Sequence, residues 1–134
     1  RPDSYYGVSK AFGEDLSRYY FDRCGIETVC LRIGSARAEP TDRRMLSTWL
    51  SYGDLVELVV RSLLTPKVDH TIVYGVSANK ESWWDNGKAA HLDYRPRDNA
   101  ETFRSVLEKT PPADLSSPAS QFQGGGYVVE GPFP

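Results

Sequence analysis

Tyr6 and Lys10 lie four residues apart in the run Tyr6-Gly7-Val8-Ser9-Lys10. On a helix that spacing puts both side chains on one face, so a phenol and an ammonium share the same space. A free phenol titrates near pH ~10, too high for a base at neutrality, and a neighbouring cation favours the phenolate. Such a pair can accept the hydroxyl proton of an alcohol while a hydride leaves the same carbon for a nicotinamide. The ammonium has a second use, as a hydrogen-bond donor to a cofactor ribose. Taken alone, Tyr-x-x-x-Lys occurs in many helices as a packed tyrosine beside a solvated lysine. The elements around it decide its meaning.

Those elements alternate. Tyr5 to Cys24 carries Val8, Phe12, Leu16, Tyr19 and Tyr20 at helical spacing, with Ser4 as cap and Gly25 as the left-handed stop. Glu14 and Arg18 can pair at i, i+4. Ile26 to Ile33 then reads as a strand, with Val29, Leu31 and Ile33 on one side. A helix, a glycine and a strand make one repeat of an alternating α/β fold, so the strand is expected to run parallel to its neighbours. Residues 34–44 are polar and irregular, a loop leaving the strand end where open parallel sheets bind ligands. Leu46 to Leu50 is ambiguous. Gly53-Asp54 opens a helix through Leu64 that Pro66 ends, and Thr71 to Val76 reads as a second strand. Asp85 to His91 and Ala100 to Lys109 are expected to be helical, the latter capped by Asn99. From Thr110 the composition shifts to prolines, serines and Gly124-Gly125-Gly126, and residues 110–134 are expected to form a flexible tail.

The 134 residues are 40% hydrophobic and 25% charged, which suits one globular domain with a modest core. A net charge of −2 without a basic run speaks against a nucleic-acid or membrane-surface partner. Leu55 to Leu64 is too short to span a bilayer and carries Glu57 and Arg61, and no signal peptide pattern is visible. Cys24 and Cys30 are too few for a disulfide scaffold and have no metal-ligand spacing, which fits a reducing cytoplasm. Cys30 is expected to be a small core residue, His70 and His91 to be structural, and no metal site is expected. The chain opens on Arg1-Pro2-Asp3-Ser4 and enters a helix at once, so it is expected to be the tail of a longer protein.

The order of helix, glycine stop, apolar strand and Gly-Ser loop resembles the short-chain dehydrogenase/reductase superfamily. Tyr6 to Asp15, Leu31-Arg32-Ile33-Gly34-Ser35, Arg44 to Ser51, Val73 to Asn79 and Glu81-Ser82-Trp83-Trp84-Asp85-Asn86 resemble the uronate dehydrogenases among its extended members. The likeness runs from about Pro2 to Lys109. It implies an α/β fold: the C-terminal part of a Rossmann-type parallel sheet with a small, mainly helical substrate-binding part, over residues 1–109. It implies an oxidoreductase that oxidises D-galacturonate or D-glucuronate at the anomeric carbon to an aldarolactone, with NAD as hydride acceptor. By carry-over, Tyr6 is the catalytic base, and Lys10 assists it and orients the cofactor ribose. Ile33 and Gly34 lie beside the nicotinamide through their backbone, and Ser35 contacts the substrate. Arg44, rather than Arg43, holds the uronate carboxylate, which a planar guanidinium can grip with two parallel hydrogen bonds. Ala36 stands where the family often has a cysteine. Trp83 and Trp84 are expected to pack the C-terminal part rather than line a sugar site. A cytoplasmic homo-oligomer is implied.

No segment matches the Gly-x-x-Gly-x-x-Gly turn that binds a pyrophosphate, and no strand–turn–helix surrounds Gly124-Gly125-Gly126. The resemblance puts that turn upstream of the tyrosine, with the acidic residue that selects NAD and the Ser or Thr beside the reacting oxygen. The isolated chain is therefore expected to hold half a site, and to be unstable, oligomeric or inactive with strand edges and an apolar face open. Two alternatives stay open. One is a nucleotide-sugar epimerase or dehydratase with the same Tyr/Lys pair, in which Arg95 and Arg97 could serve a diphosphate. The other is a truncated, non-catalytic module that keeps the Tyr6 helix for oligomer contacts.

Overall fold

In chain order the elements are α1 (Tyr5–Cys24), β1 (Thr28–Ile33), β2 (Ser35–Ala36), α2 (Met45–Thr48), β3 (Trp49–Leu50), α3 (Tyr52–Leu64), β4 (His70–Gly75), α4 (Arg104–Leu107) and α5 (Pro118–Gln121). Short 3-10 turns cover Gly87–Leu92, Ala100–Phe103 and Gly125–Val129. The computed structural model describes residues 1–130. It divides into one unit of Arg1–Ile26 with the segment from Ala113 onward, and another of Glu27–Pro112.

In the first unit, α1 begins and ends where local chemistry predicts. Ser4 has an extended backbone, and its Oγ accepts the Gly7 N–H at 3.0 Å, pairing a donor that every helix start leaves open. Gly25 sits at φ 67°, a conformation strained for other residues, and its N–H donates to the Phe21 carbonyl. Arg18 pairs with Asp22 one turn on, at 2.9 Å. The apolar stripe exists, but α1 has no buried residue, and Val8, Phe12, Leu16, Tyr19 and Tyr20 keep 44–67% of their surface exposed. The segment expected to be a flexible tail holds α5 and the Gly125–Val129 turn, and the Gly124 N–H donates to the Asp3 carboxylate at 2.8 Å. Its last residues, 131–134, lie outside the described part.

In the second unit, β1 and β4 run parallel in register from Thr28 opposite His70 to Ile33 opposite Gly75. The parallel expectation holds. Both strands shift slightly from the sequence reading because a ladder starts only where its partner does. The loop after β1 contains β2, which pairs in parallel with β3, and the ambiguous Leu46–Leu50 stretch resolves into α2 followed by β3. The Ser51 Oγ caps α3 by accepting the Asp54 N–H. Leu58 of α3 is fully buried against Val68, Val73, Ala89 and Leu92, with Val29, Leu31 and Tyr94 packed around it. Burying such a leucine contributes about 1.5–3 kcal/mol. A second cluster gathers Met45, Leu46, Trp49, Ala100 and Leu107, with Phe103 edge-on to Trp49. The helices expected at 85–91 and 100–109 are short: a 3-10 turn in the first case, and a 3-10 turn running into α4 in the second.

Side chains finish what the short elements leave open. The Asn86 amide accepts the Tyr74 N–H at 2.8 Å and donates to the Tyr74 carbonyl at 2.9 Å, standing in for a neighbouring strand on the edge of β4. Buried Asn79 donates to the Trp49 carbonyl and accepts from the Ala100 N–H. Cys30 is half-buried, with Sγ 4.0 Å from the His70 Nε2, and His91 contacts the Thr71 hydroxyl. Among the described residues no helix is long and apolar enough to cross a membrane, and no cluster of His, Cys, Asp and Glu could hold a metal ion.

Candidate active site

The first turns of α1 bring Tyr6 and Lys10 together. The Lys10 Nζ stands 5.0 Å from the centroid of the Tyr6 ring, and both side chains are exposed. Tyr6 also stacks on Tyr127, with centroids 4.4 Å apart and planes 12° from parallel. Tyr127 comes from the 3-10 turn that the Gly124–Asp3 hydrogen bond ties to the start of the helix. Sequence reasoning passed over Tyr127, whose only signal is its position directly after three glycines.

In the second unit, Ile33, Gly34, Ser35 and Arg44 gather at the C-terminal ends of β1 and β4. Ile33 ends β1 and is 46% exposed. The Gly34 N–H donates to the Gly75 carbonyl, continuing the ladder by one residue. A β-carbon at Gly34 would lie 2.2 Å from the Thr48 carbonyl oxygen, so only glycine allows β1 to pass α2 this closely. The Ser35 and Thr48 hydroxyls are 3.1 Å apart. Thr48 is 2% exposed and its hydroxyl also donates to the Arg44 carbonyl, so this residue, not among the site residues expected from the sequence, joins Ser35 to Arg44.

The adjacent arginines have different tasks. Arg43 reaches the carbonyls of Glu108 and Thr110, where α4 ends, and a cation at a helix C-terminus meets favourable partial charge. The half-buried Arg44 lays its guanidinium over the ring of Trp83, with Cζ 4.7 Å from the centroid. Trp84 stacks on Tyr74 of β4 at 5.3 Å and 4°, and its Cζ3 is 3.2 Å from where a Gly34 β-carbon would be. Trp84 thus packs as expected, whereas Trp83 is 44% exposed beside Arg44.

Polar groups away from this cluster are satisfied structurally. The buried Asp54 carboxylate accepts the Arg97 and Asp98 N–H groups at 2.8 and 3.1 Å. Tyr94 donates its hydroxyl to the Val76 carbonyl; burial pushes this phenol well above its ordinary range, and the charges of Asp54 and Glu57 add to the shift. A groove of about 770 Å³ runs along α3, lined by residues including Val56, Val60, Arg61, His91 and Arg97, and contains none of Tyr6, Lys10, Ile33, Gly34, Ser35 and Arg44.

A scan against protein-family models finds no match. The chain is similar to the uronate dehydrogenases of Pseudomonas putida, 57% identical over 99% of this chain and 50% of the relative, and of Pseudomonas syringae pv. tomato, 58% identical over 99% and 48%. Among solved structures it is similar to glucuronic acid dehydrogenase from Chromohalobacter salexigens, with a TM-score of 0.92 and 48% identity, covering 98% of this chain and 50% of that one. It is also similar to a mutant of uronate dehydrogenase from Agrobacterium tumefaciens complexed with NAD, with a TM-score of 0.90 and 48% identity, covering 96% of this chain and 49% of that one. The chain spans about half the length of the curated relatives it matches. Over nearly its whole length the chain is similar, in sequence and in backbone course, to about half of each of these uronate dehydrogenases.

Proposed function

We propose that the protein carrying this chain is an NAD-dependent uronate dehydrogenase, oxidising D-galacturonate or D-glucuronate at C1 to the aldarolactone. The carrying observation is the Tyr6–Lys10 pair, set on the capped first turns of α1 in a chain 57% identical to such an enzyme. In this reading Tyr6 accepts the C1 hydroxyl proton. The base is the phenolate of Tyr6, which becomes a neutral phenol on taking this proton; the ammonium of Lys10 offsets the phenolate charge beforehand and donates to a ribose hydroxyl. Arg44 holds the carboxylate of the sugar and Ser35 one of its polar groups.

The residues present fit a nicotinamide cofactor: Tyr6 and Lys10 are exposed, and β1 ends on an open Ile33 and a side-chain-free Gly34. Tyr6, Lys10, Ile33 and Gly34 would hold it. Bound NAD supplies the acceptor for the hydride that leaves C1 as the C1 carbonyl forms. Release of the proton to Tyr6 balances that step. A cytoplasmic homo-oligomer is part of the proposal, supported by two cysteines that form no disulfide and by the exposed apolar side chains of α1.

The test is formation of NADH, followed at 340 nm with galacturonate, glucuronate and a UDP-hexose. It uses the full-length protein made by joining this chain to the remaining half of the Pseudomonas putida relative. Turnover of the free uronates is expected, with Tyr6→Phe lowering it by roughly 10²–10⁴-fold. Turnover of the UDP-hexose alone would overturn the proposal.

A further inference from the structure

We infer that Trp83 is a positioning residue: its ring holds the guanidinium of Arg44 in the orientation that receives a carboxylate, so the pair selects an anionic sugar over a neutral one. This rests on the reading of Arg44 as the carboxylate-binding residue. Trp83 is a large apolar side chain left 44% exposed, and the group over its face is the Arg44 guanidinium at 4.7 Å. Trp83 belongs to neither of the two core clusters, and unlike Trp84 it is not stacked on the sheet.

The ring is also firmly held. Trp84 meets it edge-on at 5.8 Å and 74°, and Trp84 is itself stacked on Tyr74 of β4. The backbone on either side is tied down: the Ser82 N–H donates to the Asn79 carbonyl, and the Asn86 amide is locked onto Tyr74. A series of aromatic rings therefore runs from the sheet to Arg44. It passes against the backbone of Gly34, the residue before Ser35.

The physics of the stack suits the task. Arginine has a long side chain with many rotamers, and fixing it for one ligand is costly in entropy. An aromatic face attracts the cation and removes most of those rotamers before the ligand arrives. Stacking uses the face of the guanidinium, whereas a carboxylate is accepted by the N–H donors in its plane, so the ring and a bidentate anion do not compete for the same part of the group. A neutral aldose has no group for that fork. Loss of Trp83 is therefore felt by the uronate first.

The experiment uses the same full-length protein and compares kcat and KM for galacturonate and for galactose in Trp83→Leu, Trp83→Phe, Arg44→Ala and the double variant Arg44→Ala/Trp83→Leu. Trp83→Leu is expected to raise the galacturonate KM by about three- to tenfold, with a smaller change in kcat. The preference for galacturonate over galactose should fall with it, and Trp83→Phe should recover part of the loss. In the Arg44→Ala background, Trp83→Leu should have almost no further effect, because its action passes through the arginine. Additive losses in that cycle, or equal losses on both sugars, overturn the inference while Arg44→Ala still raises the galacturonate KM and the function stands. An Arg44→Ala variant with an unchanged galacturonate KM overturns the reading of Arg44, and a wild-type fusion that turns over no uronate overturns the function. The inference falls with either. If Trp83→Leu fails to fold, Trp83→Phe in the same cycle decides, since an additive loss there also overturns it.

Discussion

Gly34 concentrates more constraint than any other single position of the candidate site. Its missing β-carbon would press 2.2 Å onto a backbone oxygen, that of Thr48, which cannot swing aside as a side-chain tip can. Gly34→Ala is expected to push β1 and α2 apart and to cost about 1–3 kcal/mol, as overpacking does. It should also raise the uronate KM, because Ser35 and Arg44 are both tied to Thr48. Thermal unfolding and steady-state kinetics of the full-length fusion check both parts; an unchanged midpoint would mean that the backbones do not approach so closely. At this scale Tyr6 and Lys10 were legible because four residues on a helix are spatial neighbours. The division of labour between Arg43 and Arg44 was not legible in geometry. Adjacent arginines look alike in sequence, and one reaches the end of α4 while the other lies on Trp83.

Short elements need ties between them, and buried polar side chains supply these. Asp54 is 3% exposed and accepts two backbone N–H groups, those of Arg97 and Asp98, from a segment far along the chain. Asp54→Ala leaves those donors unpaired and is expected to cost about 1–3 kcal/mol. Asp54→Asn, which keeps one acceptor oxygen, should cost less. Urea unfolding checks this as a lower midpoint at constant slope, and a variant as stable as the parent would remove Asp54 from the ties. The caps of α1 and α3 were readable in kind because a cap and its target N–H are three residues apart. Asn86 and Asn79 were not, since their partners lie 12 to 30 residues away. The helix expected over residues 100–109 is shorter, a 3-10 turn over Ala100–Phe103 that runs into α4, and the Asn79 amide takes the Ala100 N–H that this start leaves open.

For the molecule as a whole, pH offers a readout that no local feature gives. Burial holds the Tyr94 phenol above its ordinary range, with Asp54 and Glu57 opposing its ionisation. The folded state therefore binds this proton more tightly than the unfolded state. The resulting stability is fully present below the unfolded value of about 10 and is lost as pH rises from there through the folded value. The unfolding midpoint of the full-length fusion is expected to fall as pH rises above about 10, and to fall less in Tyr94→Phe. Parallel slopes for the two proteins would show that Tyr94 does not carry this dependence.

By itself the sequence determined what neighbouring residues can enforce: the α1 helix with both caps, the parallel α/β order, the Tyr6–Lys10 face and the likeness to uronate dehydrogenases. Each depends on contacts within a turn or two, or on a run of consecutive residues. Only the tertiary structure decided that Thr48 would join Ser35 to Arg44, that Trp83 would lie under the guanidinium, and that Tyr127 would stack on Tyr6. Apart from the four-residue step between Thr48 and Arg44, those contacts join residues 13 to 121 positions apart. Side chains that distant meet only once strands have paired and turns have closed, so no local spacing records them.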